Sequence, residues 1–168
     1  NNLGYGYYAG DFKGGNPDYA RAVEWYLKAA ELGEDAAMNN LGDGYESGDF
    51  NGGKPDYAKA KEWYLKAIEL GNAYAMYNLG YGYQDGYLND DKPDYAKAEE
   101  WYLKAADKGL SDAMIDLGLN YVQGNFNNGK PDYAKAKEWY LKAADLGNPW
   151  GLYNLGVHYD NGNFNNGT

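Results

Sequence analysis

One spacing constrains this chain more than any other property: the same residue types return at every thirty-eighth position, without a gap. Leu3, Leu41, Leu79, Leu117 and Leu155 keep that interval. So do Trp25, Trp63, Trp101 and Trp139, and Pro17, Pro55, Pro93 and Pro131. A period of about 20–50 residues marks a solenoid or a related array, in which each repeat buries its apolar face against its neighbours. The 168 residues divide into units 1–38, 39–76, 77–114 and 115–152, and residues 153–168 open a fifth. We read 1–168 as a single repeat domain.

Each unit reads as two helices. The second is clearest between Lys54 and Gly71. Pro55 suits a first helical position, where its missing N–H costs nothing, and Asp56 in the first turn complements the helix dipole. Tyr57, Ala60, Tyr64 and Ala67 step by three, four and three, which gives one packed face. Glu62 and Lys66 form an i,i+4 pair in the favoured order. Gly71, with its copies Gly33, Gly109 and Gly147, ends the helix as a left-handed residue.

The first helix runs from about Asp35 to Ser47, with Met38, Leu41, Tyr45 and Gly48 on one face. Gly42 and Gly44 inside it cost about 1 kcal/mol each relative to Ala. Gly42 recurs as Gly4, Gly80, Gly118 and Gly156, which predicts close approach of a neighbouring helix. The loop between the helices carries an apolar residue at one post, Phe12, Phe50, Leu88, Phe126 and Phe164, read as a plug that tucks the loop onto the pair. The expected fold is all-α: an α-solenoid of antiparallel helix pairs wound into a right-handed superhelix.

The residues Ala37, Leu41, Gly42, Tyr45, Gly48, Asp56, Ala58, Lys59, Ala60, Trp63, Tyr64, Lys66, Ala67 and Gly71 together resemble the Sel-one-like repeat, a relative of the tetratricopeptide repeat. The resemblance covers the whole chain. It departs in a slightly longer loop rich in Asn, Asp and Gly, and in lacking the cysteines of the disulfide-stapled subgroup, whose penicillin-directed activity is therefore not carried over. What it implies is adaptor work: scaffolding of complexes, signalling, and bacterial contact with host or envelope proteins.

Composition removes several functional classes. A net charge of −10 opposes nucleic-acid and anionic membrane partners, which call for clustered Lys and Arg. Without cysteine there is no thiolate nucleophile and no Cys-based zinc site. His158 is the only histidine, and Ser and Thr appear only as Ser47, Ser111 and Thr168, so no nucleophile–base arrangement assembles. Carboxylates such as Asp18, Asp56, Asp94 and Asp132 stand at one repeated post and serve the fold. We expect no catalytic residue and no cofactor.

The loop run Asn89-Asp90-Asp91 offers oxygen ligands of the kind calcium takes, but its spacing fits no closed cation loop. Asx turns, in which these side chains bond their own backbone, are the reading adopted, with no metal. Asn166-Gly167-Thr168 matches a glycosylation acceptor. The chain begins with Asn1 rather than Met, as a trimmed piece of a longer protein would. Its Lys-over-Arg usage with abundant Asn and Tyr looks like an AT-rich bacterial genome. The compartment is open between cytoplasm and export, with export slightly favoured.

Where the units differ is the functional signal. On the first helix, four posts vary freely (36, 39, 43 and 46 in the second unit) and step by three, four and three, forming one face. In tetratricopeptide-like packing that face lines the concave surface. It is polar in the second unit, then becomes apolar and aromatic. Tyr74, Tyr77, Tyr81, Ile115, Leu119, Val122, Trp150, Tyr153 and Val157 are the candidate partner-binding residues, since apolar side chains off the repeated core mark an interaction surface.

The expected function is a non-enzymatic protein-binding scaffold or adaptor that grips a protein or peptide segment on its concave face. A structural subunit that self-associates head-to-tail into an open assembly is the alternative, because neither end carries a distinct capping repeat. A glycan-binding repeat protein, suggested by the tyrosines and asparagines, is the third reading.

Overall fold

The computed structural model of the chain describes residues 2–12 and 15–164. Among these there are nine α-helices and no strand. First-type helices are α1 (Asn2–Tyr8), α3 (Asp35–Ser47), α5 (Ala73–Asp85), α7 (Ser111–Gln123) and α9 (Pro149–Asp160). Second-type helices are α2 (Tyr19–Glu31), α4 (Tyr57–Glu69), α6 (Tyr95–Asp107) and α8 (Tyr133–Asp145). The boundaries drawn at 38, 76, 114 and 152 from the leucine register fall inside first-type helices. The structural repeat opens instead at Asp35, Ala73, Ser111 and Pro149, with the period unchanged. No described helix is long and apolar enough to cross a membrane.

The chain forms two compact units, Asn1–Leu79 and Gly80–Thr168, and the division falls inside α5. Within the first, α1 packs on α2, α2 on α3 and α3 on α4. Within the second, α6 packs on α7, α7 on α8 and α8 on α9. These consecutive contacts are the antiparallel helix pairs the repeat implies.

The second-type helix begins two residues later than the sequence suggested. Asp56 is the N-cap of α4, and its carboxylate accepts from the Lys59 N–H, while Pro55 stands outside the helix. Asp18, Asp94 and Asp132 repeat the cap. A capping carboxylate satisfies a helix donor that has no intrahelical acceptor, which is why Asp takes this post. The same Asp N–H donates to the carbonyl of a tyrosine at the end of the preceding helix: Asp56 to Tyr45 and Asp132 to Tyr121, both at 2.8 Å. That bond closes each loop. At the other end Gly71 takes φ +87° just past the helix, as read from the sequence.

Two glycines of the first helix explain the packing. A Cβ on Gly42 would lie 2.3 Å from the Tyr64 ring. Gly4, Gly80 and Gly118 receive Tyr26, Tyr102 and Tyr140 in the same way, so each second-type helix seats a tyrosine on a glycine of the helix before it. Those four tyrosines are almost wholly buried. Gly6, Gly44 and Gly82 receive the loop plugs Phe12, Phe50 and Leu88. Phe50 also meets Tyr8, Tyr19, Tyr26 and Tyr45, which ties the loop to the preceding repeat. Trp63 packs against the cluster of Ala22, Tyr26, Ala30, Ala37 and Leu41, and Lys66 lies 4.1 Å above its ring.

Candidate interaction surface

Two of the four variable posts on the first-type helix, 43 and 46 in the second repeat, face the hydroxyl of the tyrosine seated behind them. The Tyr64 hydroxyl lies 2.8 Å from both Asp43 Oδ1 and Glu46 Oε2. A phenol carries one proton, so it serves only one of these carboxylates at a time. Asp43 also accepts from the amides of Asn39 and Asn78, at 2.9 and 2.8 Å, and Asn78 donates further to Asn39. Burial, with the nearby Glu46 charge, pushes the Asp43 carboxyl up to about 6, while the bonds from Tyr64 and Asn39 pull the other way. The Tyr64 phenol is itself raised, by burial and by the two carboxylates.

This network is what the sequence reading missed. Posts 39, 43 and 46 vary between repeats, and variation alone does not show that a residue serves the fold. Asn39 is in fact buried, and Asp43 and Glu46 supply the acceptors of a core tyrosine. The available signal was the constant tyrosine of the following helix, which keeps a fixed offset from a pair of polar posts.

In the second unit the same posts change character stepwise. Gln84 accepts from the Tyr102 hydroxyl at 3.2 Å and from Asn120 at 2.7 Å. One repeat later the two posts are Leu119 and Val122, and among the described residues the buried Tyr140 hydroxyl has no hydrogen-bond partner. Burial pushes that phenol up to about 12. His158, at the post of Gly44, stacks on the Tyr140 ring at 5.9 Å, and burial lowers its pKa.

The nine candidate residues are not equivalent. In the first unit Tyr74 is exposed and Tyr77 half-buried. In the second, Leu119 is 40% exposed and Tyr81 44%. Ile115 and Val122 pack against the core cluster of Tyr121, Ala136, Tyr140 and Leu155. Trp150 and Tyr153, each 60% exposed, meet edge to face at 5.4 Å. Val157 is half-buried. Of the candidate residues on α7 and α9, Leu119, Trp150 and Tyr153 are thus the exposed ones, while Ile115 and Val122 belong to the packing beneath. The starts of α7 and α9 are tied by the Asn148 amide, which donates to Ser111 and Asp112.

Asp90 and Asp91 take left-handed backbone, φ +52° and +56°, at the posts where Gly52 and Gly53 stand one repeat earlier. Asn and Asp tolerate that conformation best among non-glycine residues. The motif Asn166-Gly167-Thr168 lies outside the described residues.

The Sel1 repeat model matches residues 1–34, 35–72, 73–110, 111–148 and 151–167. Among solved structures the chain is similar to a protective antigen present in uropathogenic Escherichia coli strains and displaying an SLR fold, at 37% identity and TM-score 0.75 over 96% of this chain and 33% of that one. It is also similar to a Sel1 repeat protein from Oxalobacter formigenes, at 35% identity and TM-score 0.73 over 95% of this chain and 60% of that one. The chain therefore spans about a third and three fifths of these proteins' lengths. No curated protein matches it.

Proposed function

The chain belongs to the Sel1 repeat family, whose helical repeats generally serve protein interaction, and from that premise we propose that it is a non-enzymatic scaffold holding a partner protein segment on its first-type helices. The second unit supplies the supporting observation. Leu119 and Val122 stand where the second repeat keeps the acceptors Asp43 and Glu46, and Val122 where the third keeps Gln84, and among the described residues the Tyr140 hydroxyl is buried without a partner. A buried polar group without a partner costs about 1–3 kcal/mol. Leu119, which exposes apolar surface at a post where an acceptor would serve the fold better, fits a role outside the fold. Trp150 and Tyr153, exposed on α9, are of the types that dominate interface energetics.

The test is a peptide selected from a random library against the folded chain, mapped by amide protection. Protection concentrated on α7 and α9 supports the reading. Protection confined to the second-type helices or the loops contradicts it.

Neither self-association nor glycan binding has a comparable observation behind it.

A further inference from the structure

We propose that a cleft in the first unit, lined by Tyr5, Tyr8, Tyr26, Asn40 and Asp43, binds a lysine side chain of a partner protein, with its ammonium group seated at Asp43. The proposal rests on the partner-holding reading but uses a different surface from α7 and α9. The cleft offers about 160 Å³, on the scale of one unbranched side chain. Its walls are aromatic: Tyr5 is 58% exposed at the rim, and Tyr26 is 1% exposed at the base. Tyrosine faces attract a cation through the ring quadrupole, most strongly where water is displaced.

Charge complementarity selects the occupant. Asp43 is held by neutral donors, the Tyr64 hydroxyl and the Asn39 and Asn78 amides. Glu46 shares the Tyr64 proton with it, and Asp49 accepts from Tyr8 at 2.9 Å. The site is therefore rich in anionic acceptors in a chain of net charge −10. A carboxylate has about four acceptor positions, and at Asp43 the Asn39 and Asn78 amides hold two of them and the shared Tyr64 proton part of a third. The little acceptor capacity left suits a point ammonium better than the two-pronged guanidinium of arginine.

Binding should follow the ionisation of Asp43. The groups facing it are Glu46 on α3, Tyr5 and Tyr8 from α1, Tyr26 from α2, Tyr64 from α4 and the neutral Asn78 from α5. With the Asp43 carboxyl pushed up to about 6, its charged fraction falls roughly tenfold between pH 7.5 and pH 5.

The experiment titrates the ¹⁵N-labelled chain with Nα-acetyl-lysine N-methylamide, and separately with the norleucine and arginine analogues and with n-butylammonium. Saturable shifts at Gly4, Tyr5, Asn40 and Asp43 are expected with lysine and not with norleucine, and arginine should bind about tenfold more weakly. Affinity for lysine should drop about tenfold at pH 5 and at least as much in Asp43→Asn. Tyr5→Ala, which alters an exposed ring, should weaken binding several-fold at unchanged melting temperature, and it keeps the test open if Asp43→Asn folds poorly. Equal shifts with lysine and norleucine, or binding unaltered by either substitution, would overturn the proposal. Binding of n-butylammonium but not of the lysine amide would overturn the assignment to a protein side chain. Each of these failures leaves the α7–α9 reading standing, since its test does not involve this cleft.

Discussion

At the scale of single residues, the same buried tyrosine meets different neighbours from repeat to repeat, and the difference is measurable. Tyr64→Phe removes the proton shared by Asp43 and Glu46 and should cost about 1–3 kcal/mol. Tyr140→Phe removes a hydroxyl that has no acceptor and should be neutral or stabilising. Denaturant unfolding of the two variants checks this, and equal losses would contradict it. Asp43 adds a pH dependence. Its folded pKa, about 6, lies above the ordinary carboxyl value, so its contribution to stability is present in full below about pH 4 and lost as pH rises through about 6. The swing is on the order of 3 kcal/mol. The parent should lose more stability between pH 5 and pH 7.5 than Asp43→Asn does, and parallel pH profiles would refute the assignment. None of this was legible from the first-helix posts alone. Their variation concealed a compensating relation to a constant tyrosine on the following helix.

At the scale of elements, the helix pair was largely legible because its determinants are local. The left-handed Gly71, the Glu62–Lys66 pair at 2.8 Å and the span Asp35–Ser47 appear as the sequence implies. The N-terminus of α4 was misplaced because proline at a first helical position and an aspartate cap make nearly the same pattern, and only the bond from the Lys59 N–H distinguishes them. The recurrent Gly42 was read as a close approach, but the approaching group, Tyr64, lies on the next helix and could not be identified by local spacing. Gly42→Ala should therefore cost about 1–3 kcal/mol through overpacking. Gly156→Ala, at the same post with an open seat, should gain up to about 1 kcal/mol from helix propensity. Thermal melts of the pair test the seat directly, and equal effects would remove it from the account.

At the scale of the whole molecule, the regular register was enough for the fold class, while the division at Leu79 and Gly80 has no counterpart in it. The candidate surface was legible in part. Apolar variation pointed to Leu119, Trp150 and Tyr153, which are exposed, but it also pointed to Ile115 and Val122, which pack on the core cluster. Periodicity assigns a residue to a helix face without saying how far the next helix covers that face. The central claim is that the exposed residues at the variable posts of α7 and α9, Leu119, Trp150 and Tyr153, form a working surface separable from the fold. The double variant Leu119→Lys with Trp150→Ala tests it most directly, by its affinity for the selected peptide and its melting temperature together. The account predicts an affinity loss of at least about tenfold, or ~1.4 kcal/mol, with the melting temperature within about 2 °C of the parent. Unaltered affinity, or loss of folding together with binding, would contradict it.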